Sequence, residues 1–223
     1  MIQRDYIMRT VQQIAHTLAA LFGGRHGRRL AETMTRLDTL SATFTGLRLD
    51  TLRGVPYDDL RAILSVSGSL AVERAYAAAR VLQADVALAQ ERGAGFSRAQ
   101  AVTALRLLAE TTCDLGGFVD DQHGQALAQL HDALRGSLGE DAAAEAAFQA
   151  WRCGGRFDRA EDALFEWLAA DASARPTAEA FYRELLALPD EALERGGLPR
   201  SEVRDGLREL GLDPAEKRYG TAS

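Results

Sequence analysis

Apolar residues recur along most of the chain at spacings of three and four, the period of one face of an α-helix, and no sustained apolar-polar alternation interrupts them. Ile7, Val11, Ile14, Leu18 and Leu21 form such a stripe, so a first helix is predicted from Arg4 to Phe22, ended by Gly23 and Gly24. Leu30, Met34, Leu37, Leu40 and Phe44 form the next, over 28–45, and together the two give an N-terminal hairpin at 1–46. The segment 47–54 is less regular. Val55-Pro56-Tyr57 then starts a short helix through Val66, because proline is accepted in a first turn, and Gly68 closes it.

A long helix follows from Leu70 to Arg92, with Ala71, Ala75, Ala78 and Ala79 on a face small enough for another helix to approach closely. Gly93 to Phe96 turns the chain, Ser97 and Gln100 have capping-box spacing, and the next helix runs to Leu115, which makes 70–116 a second hairpin. Phe118 to Leu134 is a further helix. The clearest hairpin spans 140–171, its helices joined at Gly154-Gly155. Pro176 opens a helix over 177–188, a short turn of helix covers 190–194, Ser201 caps a last helix ending at Gly211, and 213–223 reads as a flexible tail. The expected fold is all-α: an irregular stack of antiparallel helical hairpins, about nine to eleven helices, in one domain over 1–212.

In the clearest hairpin Gly155 turns the chain, Phe157 plugs it, and Ala160 lets the helices touch, with Ala163 and Leu164 on the packed face. That grammar resembles a tetratricopeptide unit. Phe96 and Ala99 echo the spacing, but the 61 residues between Phe96 and Phe157 are not a multiple of the repeat of about 34, so the stack is irregular. Three stretches, 4–9 (RDYIMR), 160–165 (AEDALF) and 198–203 (LPRSEV), are also similar to a family of uncharacterised bacterial proteins of the domain-of-unknown-function kind with a tetratricopeptide-like fold. That resemblance implies the fold and brings no catalytic residues.

Charge changes the picture by its distribution. Residues 1–30 carry five arginines against Asp5 alone, about +4, whereas 138–223 carry eighteen acids against eleven bases, about −7, within a net charge of −6. An acidic remainder of this size disfavours general nucleic-acid binding. Arg4, Arg9, Arg25, Arg28 and Arg29 are the candidate interaction surface, either for a partner or for the chain's own acidic half. Among the basic residues only Lys217 is a lysine, a bias that reads as genomic composition.

Candidate chemistry is sparse. In Asp120-Asp121-x-His123 only Asp120 and His123 have the spacing to converge on a helix, and the acids suit a first turn better than a metal. His16, His26 and His131 are isolated and read as surface or packing residues. Cys113 and Cys153 lie forty apart without a framework, which points to a reducing compartment and hence the cytoplasm; no run is long enough for a membrane span. Glu161 and Asp162 diverge by about 100° on a helix, so they are expected to be solvated or locally paired. No catalytic, cofactor or metal residues are expected. The function expected is a non-enzymatic module binding an unknown peptide or protein partner in a helical groove, with self-association open. The alternatives are an enzyme or small-ligand binder with a pocket of separated residues, and nucleic-acid or membrane-surface association through the basic hairpin.

Overall fold

The apolar stripes set the architecture, which a computed structural model describes for residues 2–23, 30–135 and 141–211. Among these residues the fold is all-α, with twelve α-helices, one 3-10 turn and a two-stranded ribbon. α1 (Ile2–Gly23), α2 (Leu30–Thr45), α3 (Leu49–Gly54) and α4 (Tyr57–Ile63) lead to the ribbon strands β1 (Ser65–Val66) and β2 (Ser69–Leu70). Then come α5 (Val72–Glu91), α6 (Arg98–Leu115), α7 (Asp121–Leu134), α8 (Asp141–Cys153) and α9 (Phe157–Ala170). The 3-10 turn Ala172–Ala174, α10 (Arg175–Ala187), α11 (Asp190–Arg195) and α12 (Arg200–Glu209) complete the described elements.

α5 is the hub. Every residue from Ala75 to Val86 is buried, because α1, α2, α3, α6 and α7 all rest on this helix. Its alanines allow that close approach, and its polar residues must find partners inside. Gln83 donates to Gln129 of α7 at 2.6 Å, and Asp85 accepts from Arg53 of α3 and Gln100 of α6. α6 hands the packing on to α8, and α8 to α9, so α5/α6 and α8/α9 form the two central hairpins.

Several local expectations are corrected. The irregular stretch before Pro56 contains α3, six residues that bury Leu49 and Leu52. Leu70 belongs to the ribbon and not to the long helix, because Ser67 (φ 53°) and Gly68 (φ 82°) turn β1 back onto β2. This is the pair of positive φ angles that a tight hairpin turn demands. Ser97 does cap α6 through Gln100 N–H at 3.3 Å, but the Gln100 side chain turns away to Asp85, so the capping box is half made. Ser201 lies within α12, which begins at Arg200 after Pro199, and makes no cap. The 213–223 tail call lies outside the described residues.

Gly206 on α12 shows how tightly the C-terminal helices meet. A Cβ there would lie 2.1 Å from the Tyr182 hydroxyl and 2.7 Å from Glu161 Oε1. Removing glycine from a helix interior gains about 1 kcal/mol, whereas overpacking a closed contact costs about 1–3 kcal/mol. Tyr182 is fully buried and bonded to Glu161, so it has nowhere to move. Gly206→Ala is therefore expected to destabilise the fold in urea unfolding. Gly54→Ala, where a Cβ meets nothing within 4 Å, is the control and is expected not to.

Candidate functional site

A cavity of about 590 Å³ opens between α4, the ribbon, α6 and α8. Helical spacing builds its walls. Arg106, Ala109, Glu110, Cys113 and Asp114 form one stripe of α6, and Ala142, Glu145, Ala146 and Gln149 form one stripe of α8. Tyr57 and Arg61, one turn apart on α4, face them, and the ribbon supplies Gly68, Ser69 and Leu70. Ile63 and Val66, 44% and 60% exposed, stand on the adjoining end of α4 and the ribbon.

The charges are not evenly matched. Arg61 Nε donates to Glu110 Oε2 at 2.8 Å, bridging α4 and α6. The Arg106 guanidinium stacks 3.4 Å above the Tyr57 ring, with the exposed Asp58 carboxylate 3.9 Å from it. Glu110 is held above the usual carboxylate range, first by burial and then by the charge of Asp114 one turn away. Asp114 and Glu145 have no basic partner among the described residues.

Cys113 and Cys153 are joined by a disulfide that ties the C-terminal turn of α6 to that of α8. This corrects the reading of two unrelated thiols. Their distance in sequence conceals that α6 and α8 pack side by side, and the premise for a reducing compartment falls with it.

The histidines of the described core are committed to packing. Val119 N–H donates to His123 Nδ1 at 3.4 Å, and Nε2–H donates to Thr112 Oγ1 at 2.9 Å, since that hydroxyl already donates to Leu108 O. Asp120 caps α7 by accepting from His123 N–H at 2.8 Å, while Asp121 is exposed. In His131, Nδ1 accepts from the Trp151 indole at 3.3 Å, so Nε2–H donates to Glu166 at 3.0 Å, which Arg135 also contacts at 3.0 Å. With both nitrogens engaged, neither ring offers a free base. His16 is exposed, and His26 lies outside the described residues.

His123 carries a pH consequence. Burial first, and the nearby Arg80 charge second, push its imidazole down to about 3. A base whose folded pKa lies below its unfolded pKa of about 6.5 stabilises the fold fully above the latter, and that contribution is lost as pH falls towards the former. Stability is thus expected to fall by up to about 1.4 kcal/mol per pH unit over pH 6.5 to 3 through this residue alone. An NMR titration should show the folded-state His123 ring neutral at pH 5; a midpoint near 6.5 would overturn the assignment.

Among the remaining expectations, Ala160, Ala163 and Leu164 are buried, Gly155 has φ 70°, and Phe157 lies over Gly196, where a Cβ would come within 2.2 Å of the ring. Glu161 is half-buried: it accepts from the Tyr182 hydroxyl, and burial followed by the charges of Glu202, Asp162 and Glu209 raises its carboxyl. Arg9 is exposed; Arg25, Arg28 and Arg29 lie outside the described residues, as does the Arg4 side chain, so the expected basic surface lies mostly outside them. Among the described residues no group of three or more His, Cys, Asp or Glu is placed to hold a metal ion, and no helix is long and apolar enough to cross a membrane.

Fold and site together define an all-α protein with an open, charge-lined cavity between helical hairpins. The chain belongs to a family of unknown function (DUF6483), which matches residues 1–212. No curated protein and no solved structure matches it.

Proposed function

We propose that the protein is a non-enzymatic interaction module, a tetratricopeptide-like stack in one domain, that takes a peptide segment of a protein partner in the cavity beside α6. The observation that carries this reading is the cavity itself. It is about 590 Å³, walled by side chains from four separate elements and open to solvent, a size suited to several side chains of a segment. Its walls are fixed in advance by the α6–α8 disulfide and the Arg61–Glu110 bridge, so ordering costs little on binding. Buried histidines with both nitrogens committed favour recognition over acid-base chemistry.

The test is a photo-crosslinking residue at Gln149, inside the cavity, against one at Arg204 on α12, each in the full chain in its own cell. A protein adduct specific to position 149 and absent at 204 is expected. Equal labelling at both positions, or none at 149, overturns the reading. The cytoplasmic location expected from the sequence requires the Cys113–Cys153 bond to persist in a reducing compartment. There the disulfide would meet a reducing thiol pool, so trapping the cysteines by alkylation in intact cells tests it: a fully oxidised pair in every molecule speaks for an oxidising compartment.

A further inference from the structure

The α6–α8 disulfide is itself part of the cavity wall. Cys113 lines the cavity, while Cys153 is the next position of the α8 stripe, one turn beyond Gln149. The two sulfurs therefore differ in access. Cys113 is exposed, and the backbone carbonyl of Gln149, another wall residue, lies 3.8 Å from its Sγ. Cys153 is half-buried against the turn that follows α6: a Cβ on Gly117 would lie 3.6 Å from its carbonyl oxygen, and the Phe118 ring fills the space over Gly154. A nucleophile that enters the cavity meets Cys113 Sγ, with Cys153 as its leaving group. Access of this kind decides which sulfur of a disulfide is attacked, and exposed bonds are the ones that exchange.

We propose that Cys113 is a covalent capture site for a thiol, carried by the cysteine of a peptide or by a small molecule that enters the cavity. The incoming thiol gives its proton to water, and the thiolate attacks Cys113 Sγ. A new S–S bond joins it to Cys113 as the Cys113–Cys153 bond breaks; the electron pair leaves on Cys153, which takes a proton back from water. One disulfide and one thiol enter the step and one of each comes out, so it needs no outside oxidant or reductant. Cys153 stays within reach, because Ala104 and Leu108 of α6 share a core with Ala147 and Ala150 of α8 independently of the bond. Its thiolate can attack Cys113 Sγ in turn and expel the captured thiol, so the capture is reversible. This goes beyond non-covalent recognition and does not depend on the peptide-binding reading.

The experiment mixes the oxidised full chain with a limiting amount of a thiol, either 2-mercaptoethanol or the peptide Gly-Ser-Cys-Ser-Gly. The reaction is quenched early in acid, and mass spectrometry locates the adduct and the free thiol. Adducts on Cys113 are expected to exceed those on Cys153 by about tenfold, with Cys153 as the free thiol, and the preference should vanish in urea, where both sulfurs are open. Gln149→Trp sets a large side chain beside Cys113 and is expected to slow adduct formation about tenfold at an unchanged melting temperature. The mapping uses the unaltered chain, so it decides the point even where that variant fails to fold. A higher rate per thiolate for the peptide assigns the captured thiol to a peptide cysteine; a higher rate for 2-mercaptoethanol assigns it to a small molecule. Adducts shared evenly in the native chain or found mainly on Cys153, a rate that a folded Gln149→Trp leaves unchanged, or no adduct at all overturns the proposal.

Discussion

Reducing the Cys113–Cys153 bond is expected to destabilise the chain by up to about 4 kcal/mol, the loop-closure entropy released in the unfolded state when a cross-link over 40 residues is cut. For a chain of 223 residues that corresponds to roughly 10 °C in the melting temperature. The folded state is expected to survive, because Ala143, Ala147 and Ala150 of α8 pack in the same core as Ala104, Leu107 and Leu108 of α6 without the bond. A phosphine opens the bond to two thiols. Thermal melts with and without the phosphine, beside the Cys113→Ser/Cys153→Ser double variant, measure it. A melting temperature unchanged by reduction would remove the bond from the stability of the fold, and with it the fixed width of the cavity.

How much of this was legible in the sequence varies with the range of the interaction. The long helices were readable because a stripe such as Val11 and Ile14 is a local signal that burial then uses. α3 was not, since six residues hold only Leu49 and Leu52 on the buried face, too few to establish a period. The ribbon hid behind Leu70-Ala71-Val72, an apolar run that a helix and a strand share; the Ser67-Gly68 pair was the available turn signal. On α6 the succession Arg106, Glu110, Asp114 at steps of four was visible as one face, but its opposite wall on α8 depends on which helices meet. The disulfide was hidden for the same reason. Glu161 read as solvated or locally paired and His123 only as spaced to meet Asp120, and tertiary packing placed His123 against Thr112 and Glu161 against Tyr182.

Arg53→Ala is expected to cost about 3 kcal/mol, because it breaks an ion pair whose acidic member is inside the protein. The Arg53 guanidinium grips Asp85 through both edges, Nε to Oδ2 at 2.8 Å and the terminal nitrogen to Oδ1 at 2.6 Å. The side chains are 34% and 11% exposed, so the two partners are not equivalent. Without Arg53, Asp85 keeps only the Gln100 amide at 2.6 Å and is left as an uncompensated charge inside the protein. Without the charge of Asp85, Arg53 still has Asp50 at 3.0 Å and water, so Asp85→Asn should cost clearly less. The loss also falls on a weak element: a helix of six residues has no stability of its own, and this fork joins α3 to both α5 and α6. Hydrogen exchange in Arg53→Ala should therefore rise first over α3, ahead of global unfolding. Replacing both members with apolar residues, Arg53→Met with Asp85→Leu, is expected to recover most of the loss, since nothing charged is then left inside. Urea unfolding of the three variants decides the point. Equal costs for Arg53→Ala and Asp85→Asn would show that the fork contributes as packing, and that burial of the Asp85 charge is not what makes Arg53 necessary.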